Sequence, residues 1–305
     1  MKPLLLLVVL VLTQFTFYPA ARADSSQRKM SVESREDRLI FRFGETEIAH
    51  YVFRDGAIPR PYFAHVKTPA GTQATRNHPP IQGEDATDHA TMHPGIWMAF
   101  GDLDGQDFWR NKASIDHVEF VESPHCDDQS AAFVERKRYV ADNGQEVCIE
   151  LFRWKLHAIG GGFLMEWDST FTSDRDFYFG DQEEMGLGVR VATPLAEKSG
   201  GLLRDSEGRE HATRIWSQAS RWCDYRGTID NRSVGIAVLC HPDNFRPSWM
   251  HARNYGFMAA NPFGRKAMKK GDQSKVIVKP GEPFKLRYGI WIDASQPDAE
   301  ARGSV

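Results

Sequence analysis

The stretch AAFVERKRYVADNGQEVCIELFRWKLHAIGGGFLMEWDSTFTS, residues 131–173, alternates apolar and polar side chains with a period of two. Successive strand residues point to opposite faces, so this pattern predicts strands with one face against a core. Asn143-Gly144 tolerates the positive φ of a tight hairpin turn, and Gly160-Gly161-Gly162 marks a second reversal. Three antiparallel strands in a meander follow. The same pattern recurs around a glycine turn in residues 38–53, and again in 227–242 and 274–293. No segment keeps a 3.6-residue apolar period for the several turns a surface helix needs. The fold class expected is therefore all-β, a single antiparallel β-sandwich domain over residues 24–305 with long functional loops. The loops are placed at 54–114, 174–186 and 241–272, and they are too rich in Trp, Phe and His for disorder.

Residues 1–23 read differently. Met-Lys, then LLLLVVLVL, then Ala21-Arg22-Ala23 before Asp24 has the layout of a secretory signal peptide. The apolar run is shorter than the ~20 residues that cross a bilayer, and no later stretch is apolar enough. The expectation is a secreted or periplasmic protein whose mature part has no transmembrane segment. The net charge of −3 gives no electrostatic reason to expect nucleic acid as a partner. Cys126, Cys148, Cys223 and Cys240 show no CxxC and no zinc-finger spacing. An exported chain could form up to two disulfides from them, although Cys148 and Cys240 sit in strand-like runs where buried free thiols are common.

The chemistry-bearing residues gather in three blocks. In DHATMHPGIWMAFGDLDGQDFW (88–109), His89 and His93 stand four apart, a spacing that shares one face of a helix and can hold a divalent metal. Pro94-Gly95 argues against a continuing helix, so a loop is expected, and metal ligation, an acid/base role and a structural role stay open. In FGDQEEMGLG (179–188), Asp181, Glu183 and Glu184 follow the apolar strand Phe177–Phe179. A carboxyl in a cleft can have a raised pKa and act as general acid or base. If this stretch is β, Glu183 and Glu184 face opposite sides, and Glu184 is preferred. In WMHARNYGFMAANPFG (249–264), alternation puts His251, Arg253 and Tyr255 on one face, and Asn261-Pro262 reads as a turn. Trp97, Trp109, Trp216, Trp222 and Trp249 lie in or beside these loops and could stack on sugars, although core packing explains a lone Trp more often. His65 and Arg76 are weaker candidates. No GxSxG elbow, P-loop, GxGxxG or EF-hand loop occurs.

Four blocks, at 88–112, 180–195, 222–244 and 251–264, resemble the signature blocks of the DUF6807 family, whose members often carry the label "methane oxygenase PmoA-like". The resemblance spans about residues 54–293. A particulate methane monooxygenase subunit crosses the membrane several times, and this chain has no such segment after residue 23, so the resemblance implies the family and a conserved site but not the oxygenase activity. It also implies a β-sandwich similar to carbohydrate-active ones, an analogy of fold. Where many members have His-His-Arg-Gly-Leu-Trp, this chain has Met92-His93-Pro94-Gly95-Ile96-Trp97. His93, Gly95 and Trp97 match; one His and the Arg do not.

The leading expectation is a carbohydrate-active enzyme working by hydrolysis, elimination or epimerisation. His93, Glu184 and His251 are its catalytic candidates. His89 is a further candidate for proton exchange or substrate binding, with Trp97, Arg253, Tyr255 and Asn261 binding substrate. This reading requires no cofactor. The alternatives are a metal-dependent hydrolase or oxygenase using His89 and His93, and a non-catalytic glycan-binding module. The leading reading requires the blocks at 88–97, 181–184 and 251–255 to meet in one pocket.

Overall fold

The computed structural model describes residues 28–294; the signal-like segment and its expected cleavage site lie outside them. In chain order the strands are β1 (Met30–Ser34), β2 (Arg38–Phe43), β3 (Thr46–Val52), β4 (Tyr62–Ala64), β5 (Ile96–Phe100), β6 (Ser114–Cys126), β7 (Ser130–Val140), β8 (Glu146–Ile159) and β9 (Gly162–Thr172). They continue with β10 (Phe177–Phe179), β11 (Met185–Arg190), β12 (Leu202–Asp205), β13 (Trp222–Ile229), β14 (Arg232–Cys240), β15 (Trp249–Arg253), β16 (Phe257–Asn261), β17 (Val276–Val278) and β18 (Phe284–Asp293). The only α-helix among the described residues is the single turn Ala212–Ile215.

Two eight-stranded sheets face each other. One has the order β1-β2-β3-β4-β5-β11-β16-β15, the other β12-β13-β14-β18-β9-β8-β7-β6, and β10 pairs with β17 in a small ribbon. The predicted meander is β7-β8-β9, antiparallel throughout, with positive φ at Gly144, Gly160 and Gly161. Aromatic rings fill the space between the sheets: Phe63 lies 5.0 Å from Trp154, Tyr51 4.9 Å from Phe133, and Phe152 4.4 Å from Trp167. The alternation of β7 and β8 also carries charges inward. Glu150 and Lys137, both buried, pair at 3.2 Å, and Tyr139 donates to Glu150 at 2.9 Å. Each polar group in this buried set therefore has a partner, as a low-dielectric interior demands.

The long loops need correction. Residues 54–114 contain β4 and β5, 174–186 contain β10 and the start of β11, and 241–272 contain β15 and β16. β5 (IWMAF), β11 and β16 (FMAAN) are buried along their whole length. Strands covered on both faces lose the alternation that identifies an exposed strand. They sit inside the first sheet, which gives the site a rigid base in place of a loop. All four cysteines are free thiols. No helix among the described residues is long and apolar enough to cross a membrane.

Candidate functional site

The site is built on the face of the first sheet that points away from the second. Trp97 of β5 lies opposite Gly188 of β11, which lies opposite Ala259 of β16, which lies opposite His251 of β15. One step along the strands, Arg190, Phe257 and Arg253 form a second row. The small residues in the centre of the first row make room for indoles. A Cβ at Gly188 would stand 2.7 Å from Cζ2 of Trp97 and 2.9 Å from Cη2 of Trp109.

The block 88–97 folds over these rows. His89 adopts a left-handed φ of 52°, and the His93 N–H donates to the His89 carbonyl at 2.9 Å, closing one α-turn. This turn brings the two imidazoles together in a loop, without a helix. The rings stack 4.8 Å apart at 17°, and His93 in turn lies flat against Phe257 (4.6 Å, 10°) and Trp97 (5.0 Å, 19°). Two buried arginines hold the loop from beneath. Arg76 donates to the carbonyls of Ala86, Asp88 and His93 at 2.8, 2.6 and 2.9 Å. Arg60 donates to those of Met92 and Trp109 at 2.5 and 2.9 Å.

His93 is 1% exposed, and neither ring nitrogen has a hydrogen-bond partner within the chain. Burial, helped by nearby His89 and arginine charges, pushes it well below the ordinary imidazole range, so the ring is neutral. His89 is the outer ring of the stack, its side chain 37% exposed and its Nδ1 2.9 Å from Asp88 Oδ2. Tyr255 lies near-parallel to His89 at 5.8 Å and 15° and to Phe257 at 6.3 Å and 17°.

The second block contributes both glutamates. Residues 183 and 184 lie in a bend before β11 rather than in a strand, so strand alternation does not separate them. Glu183 pairs with Arg253, accepts from Trp216 Nε1 at 2.6 Å, and lies 3.4 Å from His251 Nε2. Its backbone carbonyl accepts from His251 Nδ1 at 2.9 Å and Asn261 Nδ2 at 3.0 Å. Although burial opposes it, His251, Trp216 and Arg253 hold the Glu183 carboxyl below the usual range. Glu184 pairs with Arg110, which also binds Asp107 at 3.1 Å. Burial pushes the Glu184 carboxyl up against the opposing effect of Arg110. Its side chain is 24% exposed.

In the third block His251 is buried, and desolvation next to Arg253 lowers it to about 4, so it too is neutral. A carbonyl only accepts, so its Nδ1 carries the proton and Nε2 is bare. Asn261 closes a turn, accepting from the N–H groups of Phe263 and Gly264 at 2.8 and 2.9 Å.

All three predicted blocks thus meet. Glu184 feels the charges of Arg110, Glu183, Asp107 and His89, while Tyr255 feels Arg190, Arg253, Asp88 and Glu184. His65 packs instead on His50 at 5.0 Å, and Arg76 is a buried staple of the loop. Trp97 and Trp109 form a buried floor, whereas Trp216 is partly exposed beside Arg253 (5.7 Å) and Lys269 (5.4 Å). Sequence reasoning missed Asp88, Arg110 and Arg190. The first opens the quoted His stretch, and the last ends β11, where a charge after Gly-Leu-Gly-Val was the available signal.

For a metal, the donor geometry is poor. Imidazole lone pairs lie in the ring plane, and near-parallel stacked rings direct theirs along parallel planes rather than at one ion. Among the described residues no group of three or more His, Cys, Asp or Glu side chains is placed to hold a metal ion. Two indentations, of about 600 Å³ beside Arg38 and Asp55 and about 240 Å³ beside Ser220 and His241, share no residue with the cluster.

Comparison with known families settles the relationship: DUF6807, described as a family of unknown function, matches residues 38–304. The chain belongs to the DUF6807 family. No curated protein matches it. Among solved structures it is similar to a galactose mutarotase-like protein from Clostridium acetobutylicum, with 8% identity, 87% of this chain and 98% of that one covered, and a TM-score of 0.47. It is also similar to a galactose mutarotase-like protein from Lactobacillus casei (10% identity, 86% and 99% covered, TM-score 0.37). A galactose mutarotase related enzyme from Lactobacillus acidophilus gives 10% identity, 88% and 98% coverage and a TM-score of 0.34. The functional reading of this DUF6807 chain is drawn from its own site.

Proposed function

We propose that this protein is an exported carbohydrate-active enzyme that moves protons on its substrate. The observation that carries the reading is a carboxyl and an imidazole, both partly exposed, brought into one cluster. Glu184 is biased by burial toward its protonated form, and His89 presents an imidazole anchored at Nδ1 by Asp88. A carboxyl held toward its protonated form can give a proton and an imidazole can take one, the two roles that acid–base chemistry needs in one site.

In the proposed reaction one proton leaves the substrate for His89 Nε2, and one leaves the Glu184 carboxyl for a substrate oxygen or carbon. For an epimerisation the substrate keeps its composition, and both groups recover their state by exchange with water. For an elimination the departing oxygen leaves as an alcohol with the Glu184 proton. Glu183 is tied to Arg253 and Trp216 and Glu184 to Arg110, so the site does not offer the two free carboxylates a glycosidase uses. Arg253, Tyr255 and Trp216 supply donors and flat surfaces suited to a polyhydroxylated ring.

The test is incubation of purified protein with a panel of neutral and acidic sugars in D₂O, followed by NMR. The expected result is deuterium incorporation, epimer or unsaturated product, lost in Glu184→Gln and His89→Asn. Saturable binding with no product for any sugar, unchanged by Glu184→Gln, would instead make the protein a glycan-binding module. Export is tested by N-terminal sequencing of the secreted or periplasmic fraction, where the chain should begin at Asp24.

A further inference from the structure

His89 is the outermost member of a chain of charges. The Asp88 carboxylate that faces its Nδ1 also receives two N–H groups from Arg190, at 2.9 Å to Oδ2 and 2.7 Å to Oδ1. Arg190 is 1% exposed, and its guanidinium carbon lies 4.6 Å from the centroid of the Tyr255 ring. The Arg190 backbone N–H donates to the Gly95 carbonyl at 2.7 Å, which fixes the residue relative to β5. A two-pronged guanidinium sets the plane and position of the carboxylate it holds, which a single ammonium does not.

From this geometry we infer that Asp88 and Arg190 are positioning residues: Arg190 orients Asp88, and Asp88 fixes His89 as the Nδ1–H tautomer, which leaves Nε2 as the proton-accepting nitrogen. The inference rests on the proton-accepting role proposed for His89 and adds the device that prepares it. An ionised carboxylate offers only lone pairs, so the nitrogen facing it must carry the hydrogen. When Nε2 takes the substrate's proton, the new imidazolium charge forms beside Asp88. Asp88 keeps its own charge because Arg190 holds it, and the proton later leaves Nε2 for water or product.

A purely structural role for the pair makes a different prediction. The backbone of this loop is already held by three Arg76 contacts and by the His93 N–H on the His89 carbonyl. Removing Asp88 should therefore leave the loop in place and change the state of the imidazole.

The experiment is a long-range ¹⁵N–¹H correlation spectrum of the histidine-labelled full chain near neutral pH, run beside sugar turnover. Wild type should show His89 as the Nδ1–H tautomer. Asp88→Asn should move it largely to Nε2–H and lower kcat by ~10²- to 10⁴-fold with KM changed far less. Arg190→Lys, which keeps the charge but loses the fork, should give mixed tautomers and a smaller loss, and it serves if Asp88→Asn does not fold. An unchanged His89 tautomer in folded Asp88→Asn or Arg190→Lys overturns the inference, whether or not sugars are turned over. A tautomer that moves as expected in a protein that converts no sugar supports the positioning pair and refutes the proposed function.

Discussion

The arrangement of the site depends on the missing side chain at Gly188, and this can be tested without knowing the substrate. Gly188→Ala places a methyl group 2.7 Å from Trp97 Cζ2, 2.8 Å from Trp97 Cε2 and 2.9 Å from Trp109 Cη2. Carbon atoms prefer ~3.5–4.0 Å, so all three contacts are repulsive. Gly188 lies within β11 and does not use the left-handed conformation, which leaves sterics as the sole cause. Neither indole can swing into solvent, because Trp97 and Trp109 are fully buried and Trp97 is held between His93 at 5.0 Å and Arg60 at 5.7 Å. Overpacking of this kind costs ~1–3 kcal/mol. For a domain of this size ~2 kcal/mol corresponds to a fall in Tm of ~3–4 °C. Differential scanning calorimetry reads that shift, and near-ultraviolet circular dichroism reads the displaced tryptophans. Adding Trp109→Phe, which removes the ring carbon at 2.9 Å, should make the second substitution less costly than in wild type. A Tm within ~1 °C of wild type, with an unaltered near-ultraviolet spectrum, would refute the packing argument.

Further outcomes follow from the charges. Glu184 has its proton affinity raised in the folded state, so its contribution to stability is present at low pH and is lost as pH rises through its folded pKa. Glu184→Gln should therefore gain stability over wild type as pH goes from ~4 to ~8, while activity disappears; a difference in melting that does not change with pH argues against this. Asp88 has the opposite sign. Burial would raise it, but Arg190 and His89 hold it well below the carboxylate range, so its contribution is lost in acid. Asp88→Asn should flatten the acid limb of the stability profile below about pH 5, as read by urea unfolding, and a parallel limb would contradict the assignment. Zinc added in equimolar amount should leave the His89 and His93 ¹⁵N signals unmoved, whereas a saturable shift abolished by His93→Gln would show that the stack opens to chelate.

The sequence was most legible where one face of a strand meets water. β7, β8 and β9 alternate, and their turns are written in Asn143-Gly144 and Gly160-Gly161, so the meander could be read residue by residue. β5, β11 and β16 were illegible for the opposite reason. Loops cover their outer face and the second sheet covers their inner one, so every position is buried and the period-2 signal vanishes. The same covering hid the logic of the site. Spacing alone puts His89 and His93 ~13 Å apart on a strand or side by side on a helix. Pro94-Gly95 points instead to a loop, which the chain adopts, but carries no sign that the rings stack within it. A left-handed residue and one α-turn, held by Arg60 and Arg76 from distant parts of the chain, stack the rings. That tertiary support has no local signature. Nor does the division between the two histidines, which follows from depth: His93, pressed between aromatic rings, is neutral and sealed, while His89, one ring further out, meets Asp88 and is partly exposed. Both residues match the chemistry of a general base equally well on paper. Burial decides between them, because a base must reach its proton before its affinity for that proton matters.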